Sequence, residues 1–244
     1  MLLDIDGTLA PIVRHAADAA VPESTRGLLI EISRNYGLVA CVTGRPASEA
    51  RRIVAIGTLT YIGGHGSEML GPGHRRAEID PGLAPWTERV HKFVAGEYGR
   101  ELQLLRVRTE DKGPIAALHW RGAPDEQAAH AALERVALSA AQAGLAVHWG
   151  RKVLEIRPPV PLSKGIAVER LLRASECTKA IYVGDDRTDA DAFEALRALL
   201  EEDVLEDALC VAVESDEVPG DLIDIADVTV DGTAGVRKLL EALL

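Results

Sequence analysis

The chain has 244 residues, 47% of them hydrophobic and 27% charged, which is enough for one large domain or for a core domain with a smaller insertion. Its formal net charge of −11 excludes a general affinity for nucleic acid or for anionic membranes. A phosphorylated ligand would also be repelled, unless a metal or a local cluster of cations reverses the field.

The N-terminal part of the chain alternates short apolar runs with helical patterns. The first run, MLLDI, predicts an unusually short strand that ends in Asp4 and Asp6 and is followed at once by Gly-Thr. Further strands are predicted at LVACV (38–42) and TLTYIGG (58–64). The segments between these strands predict helices at PESTRGLLIEISRN (22–35) and ASEARRIVA (47–55).

Residues 81–159 have a different pattern, because their apolar positions alternate with polar ones. In GPIAALHWR, Leu118 and Trp120 share one face of a strand, whereas His119 and Arg121 share the other, and RKVLEIRP repeats the alternation. Two helical segments can cover the apolar face: PWTERVHKFVAGEY (85–98) and DEQAAHAALERVALSAAQAG (125–144). The pattern predicts an α+β insertion whose sheet has one open face. That face is either simply solvated or a binding surface on which Lys, Arg, His and Glu converge.

The C-terminal part returns to apolar strands separated by helices. Strands are predicted at KAIYV (179–183), ALCVAV (208–213) and DVTV (227–230), and helices at SKGIAVERLLRAS (163–175), TDADAFEALRALL (188–200) and AGVRKLLEALL (234–244). The acidic stretch EEDVLED (201–207) is interpreted as a solvated helix end. The chain is thus predicted to be an α/β protein with a doubly wound, Rossmann-like parallel sheet in a core domain (1–80 and 160–244) and an inserted α+β cap domain (81–159).

Cysteine usage and hydropathy favour a cytoplasmic location. Cys41, Cys177 and Cys210 are scattered and have no metal-ligand spacing, which indicates free thiols in a reducing compartment. No apolar run approaches the roughly eighteen residues of a membrane span, and no segment is typical of a signal peptide.

Four polar motifs occur in one order along the predicted core: DIDGTL, VTGR, LSKG and VGDDRTDADAF. The first, second and fourth follow strands, where ligands bind in parallel sheets, and Lys164 of the third lies at the start of a helix. Together the four motifs resemble those of the haloacid dehalogenase-like phosphatases.

That resemblance implies a role for each motif in catalysis. Asp4 would attack phosphorus and become an aspartyl phosphate, and Asp6 would protonate the leaving oxygen and then activate water. Thr43 would hydrogen-bond the phosphoryl oxygens, and Lys164 would neutralise them.

The same resemblance implies a magnesium ion as cofactor. Asp185 would bind Mg²⁺ together with the Asp4 carboxylate and the backbone carbonyl of Asp6, and Asp186 and Asp189 would support the metal or its waters. Such a cation would explain why two like charges, Asp4 and Asp6, are tolerated so close together.

Four segments in the loops and the insertion point to one family among these phosphatases. They resemble the corresponding segments of trehalose-6-phosphate phosphatases: GGHGSE, TEDKGPIAALHWR, RKVLEIRPPVPLSKG and GDDRTDADAF. The resemblance implies a disaccharide phosphate as substrate, bound through paired donors and acceptors. The candidate substrate-binding residues are Arg45, His65, Gly66, Glu68, Glu110, Lys112, His119, Arg121, Arg151 and Glu155.

Several of these candidates have a simpler interpretation. Glu110 and Lys112 flank a predicted hairpin tip, and the simpler interpretation is an exposed ion pair, which would contribute little stability. For His119 the simpler interpretation is packing beside the strand that carries Trp120, and for Arg45 it is pairing with a neighbouring carboxylate instead of the substrate.

The sequence therefore favours a magnesium-dependent phosphatase that hydrolyses trehalose 6-phosphate, with a trehalose-phosphate synthase as a candidate partner. One alternative is a phosphatase of sucrose, mannosylglycerate or glucosylglycerol phosphate. Others are a non-catalytic sugar-phosphate sensor, a regulatory subunit of a synthase, and a phosphomutase that uses the same aspartyl phosphate.

Overall fold

The computed structural model describes residues 1–13, 15–214 and 220–244. They form two compact units: a core unit of Met1–Glu78 and Leu162–Leu244, and an inserted unit of Ile79–Pro161. Each unit has its own hydrophobic core.

The described elements include every strand and helix predicted above, together with several short elements that were not predicted. The strands are β1 (Leu2–Leu3), β2 (Ala40–Val42), β3 (Thr60–Gly63), β4 (Glu68–Leu70), β5 (Glu78–Ile79), β6 (Arg108–Lys112), β7 (Ile115–His119), β8 (Ala146–Gly150), β9 (Val153–Arg157), β10 (Lys179–Gly184), β11 (Asp207–Glu214) and β12 (Val228–Asp231). The helices are α1 (Glu23–Asn35), α2 (Ala47–Val54), α3 (Ala84–Glu97), α4 (Arg100–Leu104), α5 (Glu126–Gln142), α6 (Lys164–Arg173), α7 (Arg187–Glu201), α8 (Gly220–Ile225) and α9 (Gly232–Ala242).

The core unit is built on an eight-stranded sheet in the order β12-β11-β10-β1-β2-β3-β4-β5. The strands from β12 to β3 are parallel, whereas β4 is antiparallel to β3. The prediction of a mostly parallel sheet is confirmed. The sequence did not predict β4 and β5, because strands of three and two residues are too short to show a periodicity.

Helices cover both faces of this sheet, since both faces are apolar. Leu29 of α1 and Leu240 of α9 belong to the hydrophobic cluster on one face. Val168 of α6 and Phe193 of α7 belong to the cluster on the other. This arrangement is the doubly wound one that near-continuous apolar strands predict.

The inserted unit contains an antiparallel sheet in the order β6-β7-β9-β8. Leu118 and Leu154 are buried on the face that packs against Val90 of α3 and Leu133 of α5. The opposite face carries charged side chains from β6, β7 and β9, so the alternation read from the sequence is confirmed.

The nine helices named above include no candidate for a membrane span: within the described ranges, none is both long enough and apolar enough.

Candidate active site

Three neighbouring parallel strands end at the same edge of the core sheet. The register pairs Leu3 of β1 with Val183 of β10 and with Cys41 of β2, so the residues that follow these strands are neighbours. Those residues include Asp4 after β1, Thr43 after β2, and Asp185 after β10. The topology therefore brings the first, second and fourth motifs together, as expected at the carboxyl ends of parallel strands.

A buried cluster of carboxylates lies at this edge. Asp4 is 4% exposed, Asp185 7% and Asp189 0%, and one oxygen of each lies within 4.8 Å of the others. Lys164, at the start of α6, donates to Asp4 Oδ1 and to Asp189 Oδ1, each at 2.8 Å. Lys164, from the third motif, is thus a buried cation that lies beside these carboxylates.

The protonation of this cluster is dominated by burial. Burial raises the pKa of Asp4 well above its ordinary value, although Lys164 acts in the opposite direction. Burial, reinforced by the Asp189 charge, raises the pKa of Asp185 to about 6. Burial disfavours the charge on Lys164, but the surrounding carboxylates outweigh that effect and raise the pKa of this ammonium. When ionised, the three carboxyl groups carry more negative charge than the one ammonium of Lys164 compensates, and burial therefore favours their protonated forms.

The excess charge and the oxygen donors fit a hard divalent cation. An uncompensated buried carboxylate is costly, and a cation held by oxygens would offset that cost. Asp4 has one oxygen, Oδ2, that accepts no hydrogen bond from the described residues, and Asp185 accepts only from Thr8 Oγ1, at 3.1 Å on Oδ1. Asp4 and Asp185 are therefore the side chains that suit such an ion best.

Asp189 has a different set of contacts, because both of its oxygens are occupied. Oδ1 accepts from Lys164 and from the hydroxyl of Tyr182 at 2.6 Å, and Oδ2 accepts from the backbone amides of Asp185 and Asp186, each at 3.0 Å. Asp189 thus holds the loop that carries Asp185, which fits a supporting role better than direct coordination.

Asp186 is the N-cap of α7. Its Oδ1 accepts from the backbone amides of Thr188 at 2.8 Å and of Asp189 at 3.1 Å, and from the Thr188 hydroxyl at 2.6 Å. Burial tends to raise its pKa, but Lys164 and these hydrogen bonds prevail and lower it. The structure therefore shows Asp186 stabilising the helix that carries Asp189.

Asp6 lies outside the buried cluster and is held by an arginine. Arg45 donates from Nε to Asp6 Oδ2 at 2.5 Å and from Nη2 to Asp6 Oδ1 at 2.7 Å. The hydrogen bond to Asp6 is the main reason that the pKa of Arg45 is raised. Of the two interpretations of Arg45, the structure shows the pairing with a neighbouring carboxylate.

The loop after β2 is fixed by the GGHGSE segment. Thr43 is 2% exposed, and its hydroxyl accepts from the Arg45 amide at 3.2 Å. The His65 amide donates to the Thr43 carbonyl at 3.1 Å. Glu68 Oε1 accepts from the amide of Ala47, the first residue of α2, at 2.6 Å. Glu68 therefore supplies the acceptor for an otherwise free amide at this helix start.

His65 and Gly66 form a tight turn beside α6. His65 has a left-handed backbone with φ of 54°, and a β-carbon on Gly44 would lie 2.6 Å from His65 Nε2. A β-carbon on Gly66 would lie 2.7 Å from the Ala167 side chain. The two glycines thus allow His65 to pack directly on the loop that carries Thr43.

In the inserted unit, the open face of the sheet carries a ladder of ion pairs. Lys112 Nζ contacts Glu155 Oε1 at 3.1 Å and Glu110 Oε2 at 3.9 Å, and His119 Nε2 lies 2.8 Å from Glu110 Oε2. Burial tends to raise the pKa of Glu155, but Arg157 and Lys112 outweigh it and lower that pKa. These side chains form one connected polar surface across β6, β7 and β9.

Arg121 and Arg151, the remaining two candidates for substrate binding, make fewer contacts with the described residues. Arg121 and Arg151 are exposed at the end of the same sheet, and Arg121 Nη2 donates to the Arg151 carbonyl at 3.3 Å.

Three further residues, which the sequence did not predict, contact the side chains of this site. Thr8 bonds Asp185, Tyr182 bonds Asp189, and Glu49 bonds Arg45 Nη1 at 2.5 Å. Thr8 is part of DIDGTL, and Glu49 follows Arg45 by four residues, a spacing that permits an ion pair on a helix. Tyr182 lies in an apolar strand, and no pattern in the sequence distinguishes it.

Comparison with known proteins gives one consistent result for the sequence. The family model described as trehalose-phosphatase matches residues 2–222. A probable trehalose-phosphate phosphatase D from Arabidopsis thaliana is 34% identical over 212 residues, and trehalose-phosphate phosphatase B from the same plant is 32% identical over 216 residues. Each comparison covers 81% of this chain and 56% of the relative, so the chain spans little more than half the length of these relatives.

Solved structures with the same fold cover nearly the whole chain. A trehalose-6-phosphate phosphatase related protein matches with a TM-score of 0.71 at 24% identity, over 99% of this chain and 95% of the other. A haloacid dehalogenase-like hydrolase from Bacteroides thetaiotaomicron matches with a TM-score of 0.67 at 14% identity, over 100% and 98% of the two chains. At these identities the structures establish the haloacid dehalogenase-like fold alone.

Proposed function

The chain belongs to the trehalose-phosphatase family, and we propose that it hydrolyses trehalose 6-phosphate to trehalose and phosphate. The observation that carries the proposal is the buried cluster at the strand ends, where Asp4 contacts Lys164 and adjoins Asp185 within the region that the family model matches. Inorganic phosphate and the free sugar would be the products of a phosphomonoester hydrolysis.

The first step is transfer of the phosphoryl group to Asp4. Lys164 occupies Oδ1, so Oδ2 is the oxygen that attacks phosphorus while the bond to the sugar oxygen breaks. Lys164 and the Thr43 hydroxyl bind the phosphoryl oxygens, on which negative charge accumulates. Asp6 donates its proton to the departing sugar oxygen. The structure shows both Asp6 oxygens accepting from Arg45, so the protonated form would keep one of these two hydrogen bonds and carry the proton on the other oxygen.

The second step hydrolyses the aspartyl phosphate. Water attacks phosphorus, Asp6 accepts a proton from that water, and the bond between phosphorus and Asp4 Oδ2 breaks. Both Asp6 oxygens accept hydrogen bonds from Arg45 in the structure, and in this step Asp6 would again act as an acceptor. Asp4 and Asp6 then return to their starting states.

We further propose Mg²⁺ as the cofactor, held by Asp4, Asp185 and the backbone carbonyl of Asp6, with Asp189 and Asp186 fixing the loop. When bound, such an ion supplies positive charge that offsets the repulsion between the Asp4 carboxylate and the phosphate dianion.

Sugar recognition is assigned to the polar face of the inserted sheet. Lys112, Glu110 and Glu155 hold one another in fixed orientations and offer both donors and acceptors, as a sugar rich in hydroxyl groups requires.

We expect Lys112→Ala to raise KM for trehalose 6-phosphate about tenfold, with little effect on the KM for 4-nitrophenyl phosphate. Arg135→Ala is the matched control, because Arg135 forms an ion pair with Glu101 on the helices of the same unit. Equal KM values for Lys112→Ala and the parent protein would contradict the assignment.

A panel of phosphorylated sugars tests the proposed function. Phosphate release with Mg²⁺ should be fastest from trehalose 6-phosphate, ahead of sucrose, mannosylglycerate and glucosylglycerol phosphates. An equal rate for all of them would reject the trehalose assignment but not the phosphatase activity. Isomerised sugar phosphate without free phosphate would indicate a phosphomutase.

The Asp4→Asn variant tests the nucleophile. We expect it to lose all measurable turnover while keeping its unfolding temperature, because the amide is nearly isosteric with the carboxylate but is not nucleophilic. Asp207→Asn, at an exposed position of β11, is the control and should remain fully active. Residual activity in Asp4→Asn would point to another nucleophile.

A further inference from the structure

The carboxylate of Asp6 depends on one arginine for its orientation. Its side chain is 37% exposed, whereas the Arg45 side chain that grips both of its oxygens is only 16% exposed. An exposed aspartate without such a partner would sample several rotamers. The planar guanidinium can fix the plane of a carboxylate through two parallel hydrogen bonds, which a lysine cannot do.

Arg45 is itself fixed from the opposite side. Its Nη1 donates to Glu49 Oε1 at 2.5 Å and to the carbonyl of Ala16 at 3.1 Å. Its backbone is also tied, since its amide donates to Thr43 Oγ1 and its carbonyl accepts from the Gly64 amide at 2.9 Å. The guanidinium therefore has one edge on Asp6 and another on Glu49.

Glu49 is well placed to hold that second edge. It lies in the first turn of α2, where the helix dipole favours an acidic side chain, and it is half-buried with 31% of its side chain exposed. Arg52, the other basic neighbour of Glu49, is more distant at 3.7 Å and more exposed at 57%. Arg45 is thus the principal partner of Glu49.

We propose that Glu49 and Arg45 are positioning residues for Asp6: Glu49 fixes the guanidinium of Arg45, and Arg45 aims the Asp6 carboxylate at the leaving oxygen and the attacking water. The proposal rests on the proposed function only insofar as Asp6 serves as acid and base. It gives Arg45 a role through Asp6 in place of direct contact with the substrate. It also gives a function to Glu49, which the motifs do not contain.

The test compares two leaving groups. A sugar alkoxide needs a proton from Asp6, whereas 4-nitrophenolate leaves without one. We expect Arg45→Ala to lower kcat/KM for the sugar phosphate about 30-fold and Glu49→Gln about 5-fold, and both to lower it less than about 3-fold for 4-nitrophenyl phosphate. Asp6→Asn provides the reference for complete loss of the acid. Any alkyl sugar phosphate that the protein hydrolyses will serve, so failure of the trehalose assignment would not affect this comparison.

A double variant tests whether Glu49 acts through Arg45. The double variant R45A/E49Q should be no slower than Arg45→Ala alone, because Glu49 has nothing left to position. Glu169→Gln is the matched control: it breaks another i, i+4 ion pair, that of Glu169 with Arg173 at 2.9 Å on α6, and should leave both substrates unaffected.

Three results would overturn the proposal: equal losses on the two substrates, no loss in Glu49→Gln, or independent losses that multiply in the double variant. If Arg45→Ala does not fold, the same comparison of the two substrates is made with Glu49→Gln and Arg45→Lys. Arg45→Lys keeps the charge but not the planar fork, and it should show the same selective loss on the sugar phosphate.

Discussion

Gly7, in the first motif, lies against Asp185 of the fourth motif, and this close contact leaves no room for a side chain at position 7. A β-carbon there would lie 2.0 Å from Asp185 Oδ2, and the backbone φ is +83°, which disfavours any other residue. The glycine of DIDGTL therefore allows Asp185 to approach the loop that carries Asp4 and Asp6.

We expect Gly7→Ala to displace Asp185 and to reduce kcat at least about 100-fold, in addition to a loss of about 1–3 kcal/mol in the free energy of unfolding. Chemical denaturation and steady-state kinetics measure the two effects. Gly73→Ala is the control, because Gly73 has a similar φ of +73° but no atom within 4 Å of the added carbon. If the control lost as much activity as Gly7→Ala, backbone strain would explain the result, and the contact with Asp185 would not.

The start of α7 carries two aspartates, the N-cap Asp186 and Asp189 of the first turn, that have separate structural roles. Asp186 caps the helix and Asp189 completes a capping box, in which each side chain accepts from the backbone amide of the other. Asp189 also contacts Lys164 and the amide of Asp185. The helix start thus links the stability of α7 to the placement of a proposed metal ligand.

Two replacements of Asp186 distinguish its role as a helix cap from a role in binding the metal. Asp186→Asn retains an acceptor for the helix amides and should lose less than about 0.5 kcal/mol, whereas Asp186→Ala should lose about 1 kcal/mol. Urea titrations measure these losses. Asp125→Ala removes a comparable cap from α5, at 2.9 Å from the Ala128 amide, and should cost similar stability without slowing turnover. If Asp186→Asn lost metal affinity while keeping its stability, Asp186 would be a ligand and not only a cap.

Across the whole molecule, the sequence predicted those features that depend on local pattern. Strand ends in a parallel sheet meet at one edge, so Asp4, Thr43 and Asp185 could be placed together from their positions after apolar runs. The pairing of Asp6 with Arg45 was left open, and the bond from Tyr182 to Asp189 was not foreseen. Such contacts depend on distances between packed elements, which the periodicity of a single chain does not encode.

The proposed metal site should affect the stability of the whole chain. Because the pKa of Asp185 is raised from 3.8 to about 6, the folded metal-free protein holds a proton that the unfolded chain has already released, so stability falls as the pH rises through that window. Mg²⁺ competes with that proton and binds the ionised cluster. Its stabilising effect should therefore be larger above pH 6 than below it.

Thermal unfolding with and without Mg²⁺, one unit below and one unit above pH 6, measures this dependence. At about 100 times its dissociation constant, a ligand that binds only the folded state adds about 2.7 kcal/mol, which is a readily measured rise in Tm. Asp185→Asn removes a proposed ligand and should abolish the rise, whereas Glu169→Gln should keep it in full. A rise of equal size in Asp185→Asn and in the parent protein would mean that Mg²⁺ binds elsewhere. A rise that is larger below pH 6 would show that protons and the cation do not compete for the same carboxylates.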